Sequence, residues 1–307
     1  MGKIIGLGQA HIPKVMPNLE LSQYVDTNDE WIRTRTGIEQ RYISEKTTTA
    51  LAIEAAQQAV ADSGISPDQI GLIIVATISA DQMMPSTAAS VQGAIGATQA
   101  MTFDLNAACT GFIVALNTAQ QFLANGTYEY ALVIGAEHLS SVIDWQDRNT
   151  CVLFGDGSAA VIIEKSQLFL AGEAFTKSDE AGVLTLGAKG TNPYIQMNGK
   201  EVFKFATSVL TSCIERAVAK AQISVETIDW IVPHQANRRI IEYVSRKQKI
   251  PMEKFIINLN QYGNTSSASI PLALVGAKQQ FKTGDKILLI GFGGGLTWGY
   301  SLIEWSE

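Results

Sequence analysis

Cysteine and histidine are scarce in this sequence, with three of each among 307 residues. The cysteines are odd in number and have no CxxC spacing, which argues against a disulfide framework and against a zinc site. The three histidines, His11, His138 and His234, are spread along the chain and argue against a metal centre. We therefore expect a protein that needs neither structural disulfides nor a metal.

Long apolar runs and an excess of positive charge are also absent. No apolar stretch reaches the ~18 to 20 residues that a membrane span needs, and the opening Met-Gly-Lys-Ile-Ile predicts a strand instead of a signal sequence. A net charge of -6 gives no general attraction to nucleic acid or to an anionic membrane. We expect a cytoplasmic protein that binds neither.

Apolar residues, in contrast, are abundant and regularly placed. They make up 46% of the chain, enough to bury one large core or two smaller ones. Runs such as Ile70–Ala76 and Tyr130–Gly135 predict buried strands, and they alternate with helical patterns such as Thr47–Ser63. This alternation predicts an α/β layered fold.

Several segments of the first half recur in the second half at nearly the same distance. Ile65–Ile70 precedes a Leu-Ile-Ile-Val strand as Ile223–Ile228 precedes Asp-Trp-Ile-Val, and Asp104-Leu-Asn106 corresponds to Asn258-Leu-Asn260. Such spacing indicates a duplicated βα unit. Matching loops at the carboxyl ends of the strands should then surround one shared crevice.

Cys109 lies among small residues between a predicted strand, Ala100–Leu105, and a helix predicted from about Thr110 to Ala124. Free N–H groups and the helix dipole favour thiolate at such a position, and they can lower a cysteine pKa from ~8.5 by one to several units. A lone cysteine is more often a buried structural residue. The motif by itself leaves both interpretations open.

Three further motifs supply polar or flexible groups. His234 follows a buried strand, on the same rim as the cysteine loop by the repeat, and Asn264 follows a glycine turn. Asn264 either caps the next helix or offers its amide to a ligand. The glycine-rich turn at 291–299 can present an N–H to an oxyanion, and it lacks the lysine and hydroxyl of a P-loop. A nucleophile, a histidine, an amide and an oxyanion site together indicate acyl transfer through a thioester.

Six ordered motifs extend this pattern over the whole chain. They are Asp29-Glu-Trp-Ile-Arg-Thr-Arg-Thr-Gly-Ile, Asn106-Ala-Ala-Cys-Thr-Gly-Phe, Arg148-Asn-Thr-Cys-Val-Leu-Phe-Gly-Asp-Gly, His234-Gln-Ala-Asn, Tyr262-Gly-Asn-Thr-Ser and Gly293-Gly-Gly-Leu-Thr-Trp-Gly. By these motifs the chain resembles the thiolase-like condensing enzymes, and within them the β-ketoacyl-acyl carrier protein synthase III type that starts fatty-acid synthesis. The resemblance implies a thiolase-like fold with layers in the order αβαβα. It also implies two halves, 1–165 with the cysteine and 166–307 with the histidine and asparagine, and a homodimer.

The resemblance implies a role for each central residue. Cys109 would take an acyl group, expected to be acetyl, from acyl-coenzyme A, which is a substrate and not a cofactor. His234 and Asn264 would hold the malonyl thioester on the acyl carrier protein while it loses carbon dioxide. The N–H groups of Cys109 and Gly294 would form the oxyanion hole. The products would be 3-oxoacyl-acyl carrier protein, coenzyme A and carbon dioxide.

The same resemblance assigns residues further from the cysteine. Those expected to contact coenzyme A are Thr27, Trp31, Arg35 and Arg148 at the nucleotide and Phe203 and Asn237 along the pantetheine. Lys204 and Arg239 would meet the acidic carrier protein, although both are equally well explained as solvated surface charges. Met84 stands where many relatives have phenylalanine, in the acyl pocket of the partner subunit, so the acyl-chain preference stays open.

Two other functions fit parts of the pattern. One is a different thiolase-fold acyltransferase, such as a starter-unit synthase of secondary metabolism or a degradative thiolase. Degradative thiolases have a second catalytic cysteine near the C-terminus, and neither Cys151 nor Cys213 lies in that context. The other is a non-enzymatic partner that resembles a chain-length factor. The presence of Cys109, His234 and Asn264 together argues against it.

Overall fold

The computed structural model describes residues 2–187 and 192–306; Met1, 188–191 and Glu307, which the two predicted halves include, lie outside the described residues. The strands are β1 (Gly2–Gln9), β2 (Val15–Pro17), β3 (Gln40–Tyr42), β4 (Ile70–Ala76), β5 (Met101–Leu105), β6 (Tyr130–Glu137), β7 (Gly157–Lys165), β8 (Phe169–Thr176), β9 (Leu184–Leu186), β10 (Ile195–Met197), β11 (Trp230–Pro233), β12 (Lys286–Gly293) and β13 (Thr297–Glu304). The helices are α1 (Asp29–Thr36), α2 (Thr48–Ser63), α3 (Thr87–Ile95), α4 (Gly111–Ala124), α5 (Arg148–Cys151), α6 (Gly199–Ala221), α7 (Arg238–Gln248), α8 (Leu259–Tyr262) and α9 (Ser269–Ala277).

Local sequence chemistry sets the ends of the predicted helices. At α2 the side chain of Thr47 accepts a hydrogen bond from the N–H of Ala50, and Gly64 ends the helix at a φ of 71°. A threonine N-cap satisfies one of the free N–H groups, and only glycine enters the left-handed region without a steric penalty. The helix therefore begins and ends within one residue of the predicted limits.

The two main sheets repeat one topology. The first has the order β1-β7-β6-β4-β5, and the second, counted from its other edge, has the order β8-β13-β12-β11. The strand directions also agree, because β4 and β6 pair in parallel as β11 and β12 do. Phe255 bridges Ile231 in parallel at the place where β5 pairs with β4. This correspondence is the structural form of the repeat seen in the sequence.

Helices lie on both faces of each sheet. One core packs α4 and α9 against strands of both sheets, so these two helices form the central layer. The outer faces are covered by α2 and α3 on the first sheet and by α6 and α7 on the second. This is the predicted αβαβα arrangement. The predicted boundary after residue 165 falls between β7 and β8 and stays a prediction.

The parallel strands point their carboxyl ends at one region. The cysteine loop follows β5, Glu137 ends β6, His234 follows β11, and Gly293 ends β12. Because side chains at strand ends converge in a layered α/β fold, this edge is the place for a binding site. Among the described residues, none of the helices combines the length and apolar character needed to cross a membrane.

Candidate active site

A cavity of about 970 Å³ lies at this edge, and Cys109, His234 and Asn264 all line it. Each of the three is buried, with 6%, 2% and 6% of its surface exposed. They follow β5, follow β11 and precede α9, respectively, so the two halves of the chain build the cavity jointly. The structure therefore brings together the three residues that the sequence singles out.

The backbone around Cys109 is bent sharply. Ala108 has a φ of 47°, a conformation that costs a non-glycine residue about 1 to 2 kcal/mol. The turn is supported by Asn106, whose side-chain oxygen accepts a hydrogen bond from the N–H of Ala108 at 3.2 Å. A 3-10 turn at Ala108–Thr110 then leads into α4, which places Cys109 just before the helix as predicted.

The acidity of Cys109 differs from the sequence expectation. Burial raises the pKa of its thiol to about 12, the hydroxyl of Ser266 acts in the opposite direction, and a negative charge on Glu137 raises the pKa further. The expectation that the helix terminus lowers this pKa was wrong for the unliganded protein, because removing the thiolate from water outweighs the local dipole. Cys109 therefore rests as a thiol.

The segment at Asn264 has the same geometry as the cysteine loop. The side-chain oxygen of Asn264 accepts a hydrogen bond from the N–H of Ser266 at 2.9 Å, and Ser266 has a φ of 48°. A 3-10 turn, Ser266–Ala268, then leads into α9. Asn264 thus corresponds to Asn106, whereas the sequence comparison paired Asn106 with Asn260. The additional helix α8, between the Phe255 bridge and this turn, shifts the correspondence by four residues.

The imidazole of His234 is fixed by a hydroxyl. Its Nδ1 lies 2.7 Å from the hydroxyl of Ser269, which also accepts from the N–H of Gln235 at 3.4 Å. When the hydroxyl donates its own proton to Nδ1, the ring carries its proton on Nε2. Burial lowers the pKa of His234 to about 3, so the ring is neutral near neutral pH.

The glycine-rich turn packs directly on the cysteine loop. A Cβ at Gly293 would lie 2.6 Å from the backbone nitrogen of Cys109, so only glycine permits this approach. The hydroxyl of Thr297 lies 3.0 Å from the carbonyl oxygens of both Ala107 and Gly294 and joins the turn to the loop. Gly294 lines the same cavity as Cys109, and its role in an oxyanion hole stays a prediction.

The predicted coenzyme A contacts fall into two groups. Phe203 and Asn237 line the cavity, and the amide of Asn237 donates to the carbonyl of Arg35 at 3.1 Å. The other predicted residues do not line it; Thr27, Trp31 and Arg35 lie in or just before α1, and Arg148 begins α5.

Trp31 and Arg148 form a closed stack. The guanidinium carbon of Arg148 lies 4.0 Å from the Trp31 ring centroid, and that of Arg35 lies 5.4 Å away. An aromatic base between them needs about twice the ~3.5 to 4.0 Å contact distance, so one side chain must move to admit it. Two buried polar atoms here, Thr27 Oγ1 and Arg148 Nε, have no hydrogen-bond partner within the described part of the chain.

The remaining predicted residues lie at the surface. Met84 is 85% exposed and lies outside the cavity of this single chain. Lys204 and Arg239 are exposed, and in residues 2–187 and 192–306 neither takes part in an ion pair. Within the same residues there is no group of three metal-binding side chains.

The sequence did not point to three residues around the site: Ser266, which lines the cavity, and Glu137 and Ser269, which lie behind its lining. Ser269 orients His234, and Ser266 lies against Cys109. A signal was present, since Asn264 is followed by a run of hydroxyl residues at the start of a buried helix. Their partners lie in distant segments, which a local pattern does not reveal.

Comparison with known proteins gives one consistent family. Residues 103–180 match the family model described as 3-oxoacyl-[acyl-carrier-protein] synthase III, and residues 218–305 match the model for its C-terminal part. A protein of Clostridium acetobutylicum named β-ketoacyl-[acyl-carrier-protein] synthase III is 49% identical, covering 99% of each chain. One of Synechocystis with the same name is 44% identical, covering 99% of this chain and 98% of the other.

Solved structures agree with these relatives. The 3-oxoacyl-[acyl-carrier-protein] synthase III of Aquifex aeolicus superimposes with a TM-score of 0.96 at 42% identity, over 99% of this chain and all of the other. The priming β-ketosynthase of the R1128 polyketide pathway gives 0.95 at 30% identity, over 100% of this chain and 97% of the other.

Proposed function

The chain belongs to the β-ketoacyl-[acyl-carrier-protein] synthase III family of condensing acyltransferases, and from this membership we propose that it starts fatty-acid synthesis by joining an acyl group, preferably acetyl, to malonyl-acyl carrier protein. The observation that carries the proposal is the convergence of Cys109, His234 and Asn264 in one cavity built by both halves.

In the first step, the sulfur of Cys109 attacks the thioester carbonyl of acyl-coenzyme A. The sulfur forms a new bond to the acyl carbon, the coenzyme A sulfur leaves, and the thiol proton ends on that leaving sulfur. Because the thiol rests protonated, the reaction must stabilise charge as it develops. Cys109 and Gly294 both line the cavity, and we propose that their N–H groups hold the oxyanion of the tetrahedral intermediate.

In the second step, malonyl-acyl carrier protein replaces coenzyme A and loses carbon dioxide. The electrons of the broken carbon–carbon bond form an enolate, whose oxygen needs hydrogen-bond donors. Neutral His234 offers Nε2–H, and the Asn264 amide nitrogen makes no hydrogen bond within the described residues. Such a donor contributes about 3 to 4 kcal/mol in a site with little water. The enolate carbon then attacks the acyl group and expels the Cys109 thiolate, which takes a proton from solvent to restore the thiol.

No resident cofactor is needed in this scheme, because loss of carbon dioxide generates the carbanion without an external base. Acyl-coenzyme A is consumed as a substrate.

We also propose that the protein works in the cytoplasm, since Cys109, Cys151 and Cys213 are all free thiols. Reducing compartments keep cysteines in that state.

Replacing Arg148 with alanine should raise the KM for acetyl-coenzyme A by about 10-fold and leave the KM for malonyl-acyl carrier protein nearly unchanged. A cation over an indole contributes ~0.5 to 2 kcal/mol, and we propose that Arg148 and Trp31 hold the adenine once their stack opens. Steady-state kinetics with each substrate varied separately measures both constants. Arg33→Ala, an exposed arginine on the same helix as Trp31, is the control. An equal rise for both substrates would contradict the assignment.

We propose that the carrier protein docks on exposed Lys204 and Arg239, whose charges are not neutralised by ion pairs in the part of the chain that is described.

We also propose a homodimer formed along β5, the edge strand of the first sheet. Met83, Met84 and Met101 are large apolar side chains exposed in and near this edge. Sedimentation should give twice the 33.1 kDa chain mass; a monomer would exclude the dimer.

A starter synthase of secondary metabolism is the second candidate. The similarity to the R1128 priming β-ketosynthase favours it, because that protein shares the fold at 30% identity. The chemistry is the same, and the two candidates differ in the acyl group and the carrier protein.

Labelled acyl-coenzyme A tests the proposal directly. Incubation with radiolabelled acetyl-coenzyme A should label Cys109, and addition of malonyl-acyl carrier protein should release acetoacetyl product and carbon dioxide. Failure to form an acyl-enzyme with any short acyl-coenzyme A would exclude the proposed function. A clear preference for a longer or branched acyl group would favour the second candidate.

A further inference from the structure

Glu137 is a fully buried carboxyl group that the proposed mechanism does not use. It ends β6, and in the described residues it forms no ion pair. Its Oε2 accepts hydrogen bonds from the hydroxyl of Ser79 at 2.7 Å, the N–H of Ile78 at 3.1 Å and the hydroxyl of Thr77 at 3.3 Å. All three donors come from the segment after β4, so this oxygen is anchored in the first half of the chain.

The other carboxyl oxygen reaches the second half. Glu137 Oε1 lies 2.7 Å from the hydroxyl of Ser267, which lies 2.8 Å from the carbonyl oxygen of Ala76. Ser267 belongs to the turn that begins at Asn264. Glu137 therefore joins strand ends of the first half to the turn that carries a proposed enolate donor.

The number of protons in this contact is informative. The Ser267 hydroxyl has one proton and two short oxygen neighbours, and the carbonyl of Ala76 can only accept. If the hydroxyl donates to Ala76, its contact with Glu137 needs a proton on the carboxyl group. A neutral carboxylic acid, with O–H on Oε1 and the carbonyl at Oε2, satisfies every one of these hydrogen bonds.

The surroundings also disfavour a charge. Burial raises the pKa of Glu137, and hydrogen bonds from Ser79 and Ser267 only partly oppose this effect. Two titratable groups lie nearby: Cys109, across the buried hydroxyl of Ser266, and His138, whose ring lies 3.9 Å from Asp156. A carboxylate here would stand close to the sulfur that must become negative.

We propose that Glu137 is a positioning residue that works as an uncharged carboxylic acid, fixing the Asn264 turn against the first half and keeping negative charge away from Cys109. The effect on catalysis rests on the proposed function; the protonation state does not. Ionisation at alkaline pH would remove the proton shared with Ser267 and place a charge beside the thiol. Acylation should therefore fall when this group ionises.

Infrared spectroscopy tests the protonation state without any substrate. The difference spectrum between the wild type and Glu137→Gln at neutral pH should show the carbonyl band of a protonated carboxylic acid, which shifts in D₂O. Glu129→Gln changes an exposed glutamate of the adjacent segment and should not alter this band. Absence of the band from the difference spectrum would overturn the proposal.

The pH dependence of stability is a second readout. The folded protein keeps a proton that the unfolded chain releases above the ordinary value of 4.5. The contribution of Glu137 to the free energy of unfolding is thus present at low pH, and it decreases as the pH rises towards the folded-state pKa. Glu137→Gln removes the titration, so its unfolding temperature should fall less steeply with pH than that of the wild type. Equal slopes would overturn the proposal.

Acylation kinetics tests the catalytic part. Glutamine reproduces the neutral acid, so Glu137→Gln should acylate within about 3-fold of the wild type and lose the alkaline decline. Glu137→Ala leaves buried donors unpaired and should lose about 10- to 100-fold. Should the alanine variant not fold, the glutamine variant still decides. The proposal would be overturned if Glu137→Gln lost as much acylation as Glu137→Ala, or if acylation by Glu137→Gln still declined at alkaline pH.

Discussion

Replacing Cys109 with alanine should abolish the acyl-enzyme and lower condensation by at least ~10⁴-fold, as removal of a nucleophile does in other acyl-transfer enzymes. The described cavity lining contains no second thiol, because Cys151 and Cys213 are buried in separate cores and do not line it. Intact-protein mass spectrometry after incubation with acetyl-coenzyme A measures the adduct. The wild type should gain one acetyl group and the variant none.

The same variant should keep the ability to decarboxylate malonyl-acyl carrier protein. His234 is held by Ser269, and Asn264 by the N–H of Ser266, so neither depends on the sulfur for its position. Cys213→Ala is the matched control: it removes a buried thiol from the core of the second half and should still form the adduct. An acetyl adduct on the Cys109→Ala protein would place the nucleophile elsewhere.

Much of the fold follows from local sequence. The strand predicted at Ile70–Ala76 has those limits in the structure, because a parallel strand covered on both faces is continuously apolar. The helix α2, with its threonine cap and terminal glycine, also agrees within one residue. Here the short-range signals and the long-range packing specify the same conformation.

The repeat was predicted correctly and aligned incorrectly at one place. Phe255 bridges Ile231 as Thr102 pairs with Ile73, and α8 then adds one helical turn before the second loop. No pattern in the sequence predicted the insertion of α8. Only the matching turns, with positive φ at Ala108 and Ser266, show that Asn264 is the counterpart of Asn106.

The positions of the site residues could be predicted from the sequence, whereas their pKa values could not. Strand-end placement predicted that Cys109 and His234 share a rim, since that depends on topology alone. Their pKa values depend on how much water the folded cavity excludes. Burial raises the pKa of the Cys109 thiol to about 12 and lowers the pKa of the His234 imidazole to about 3. Glu137 escaped prediction for a related reason, because its hydroxyl partners come from separate segments.

Replacing His234 with alanine should lower decarboxylation of malonyl-acyl carrier protein by about 10² to 10³-fold, the usual loss for one oxyanion donor. Acylation of Cys109 should change by less than about 10-fold, because the Cys109 and Gly294 N–H groups proposed for that step remain. Release of labelled carbon dioxide measures the first rate, and rapid-quench labelling of the protein measures the second. Asn264→Ala should show the same selectivity.

The pH profile separates this role from general-base catalysis. A neutral donor with a pKa near 3 does not titrate around the ordinary histidine value of 6.5, so decarboxylation should be flat there. His234→Gln keeps an N–H donor without a titrating ring, and it should retain more decarboxylation than His234→Ala.

Two results would instead make His234 the base that takes the thiol proton. One is an equal loss of both steps in His234→Ala, and the other is an inflection of the pH–rate profile near 6.5 that disappears in His234→Gln. In the donor role, Nδ1 accepts from the hydroxyl of Ser269 across their 2.7 Å contact, so the ring proton lies on Nε2 and no free lone pair is left to take another proton.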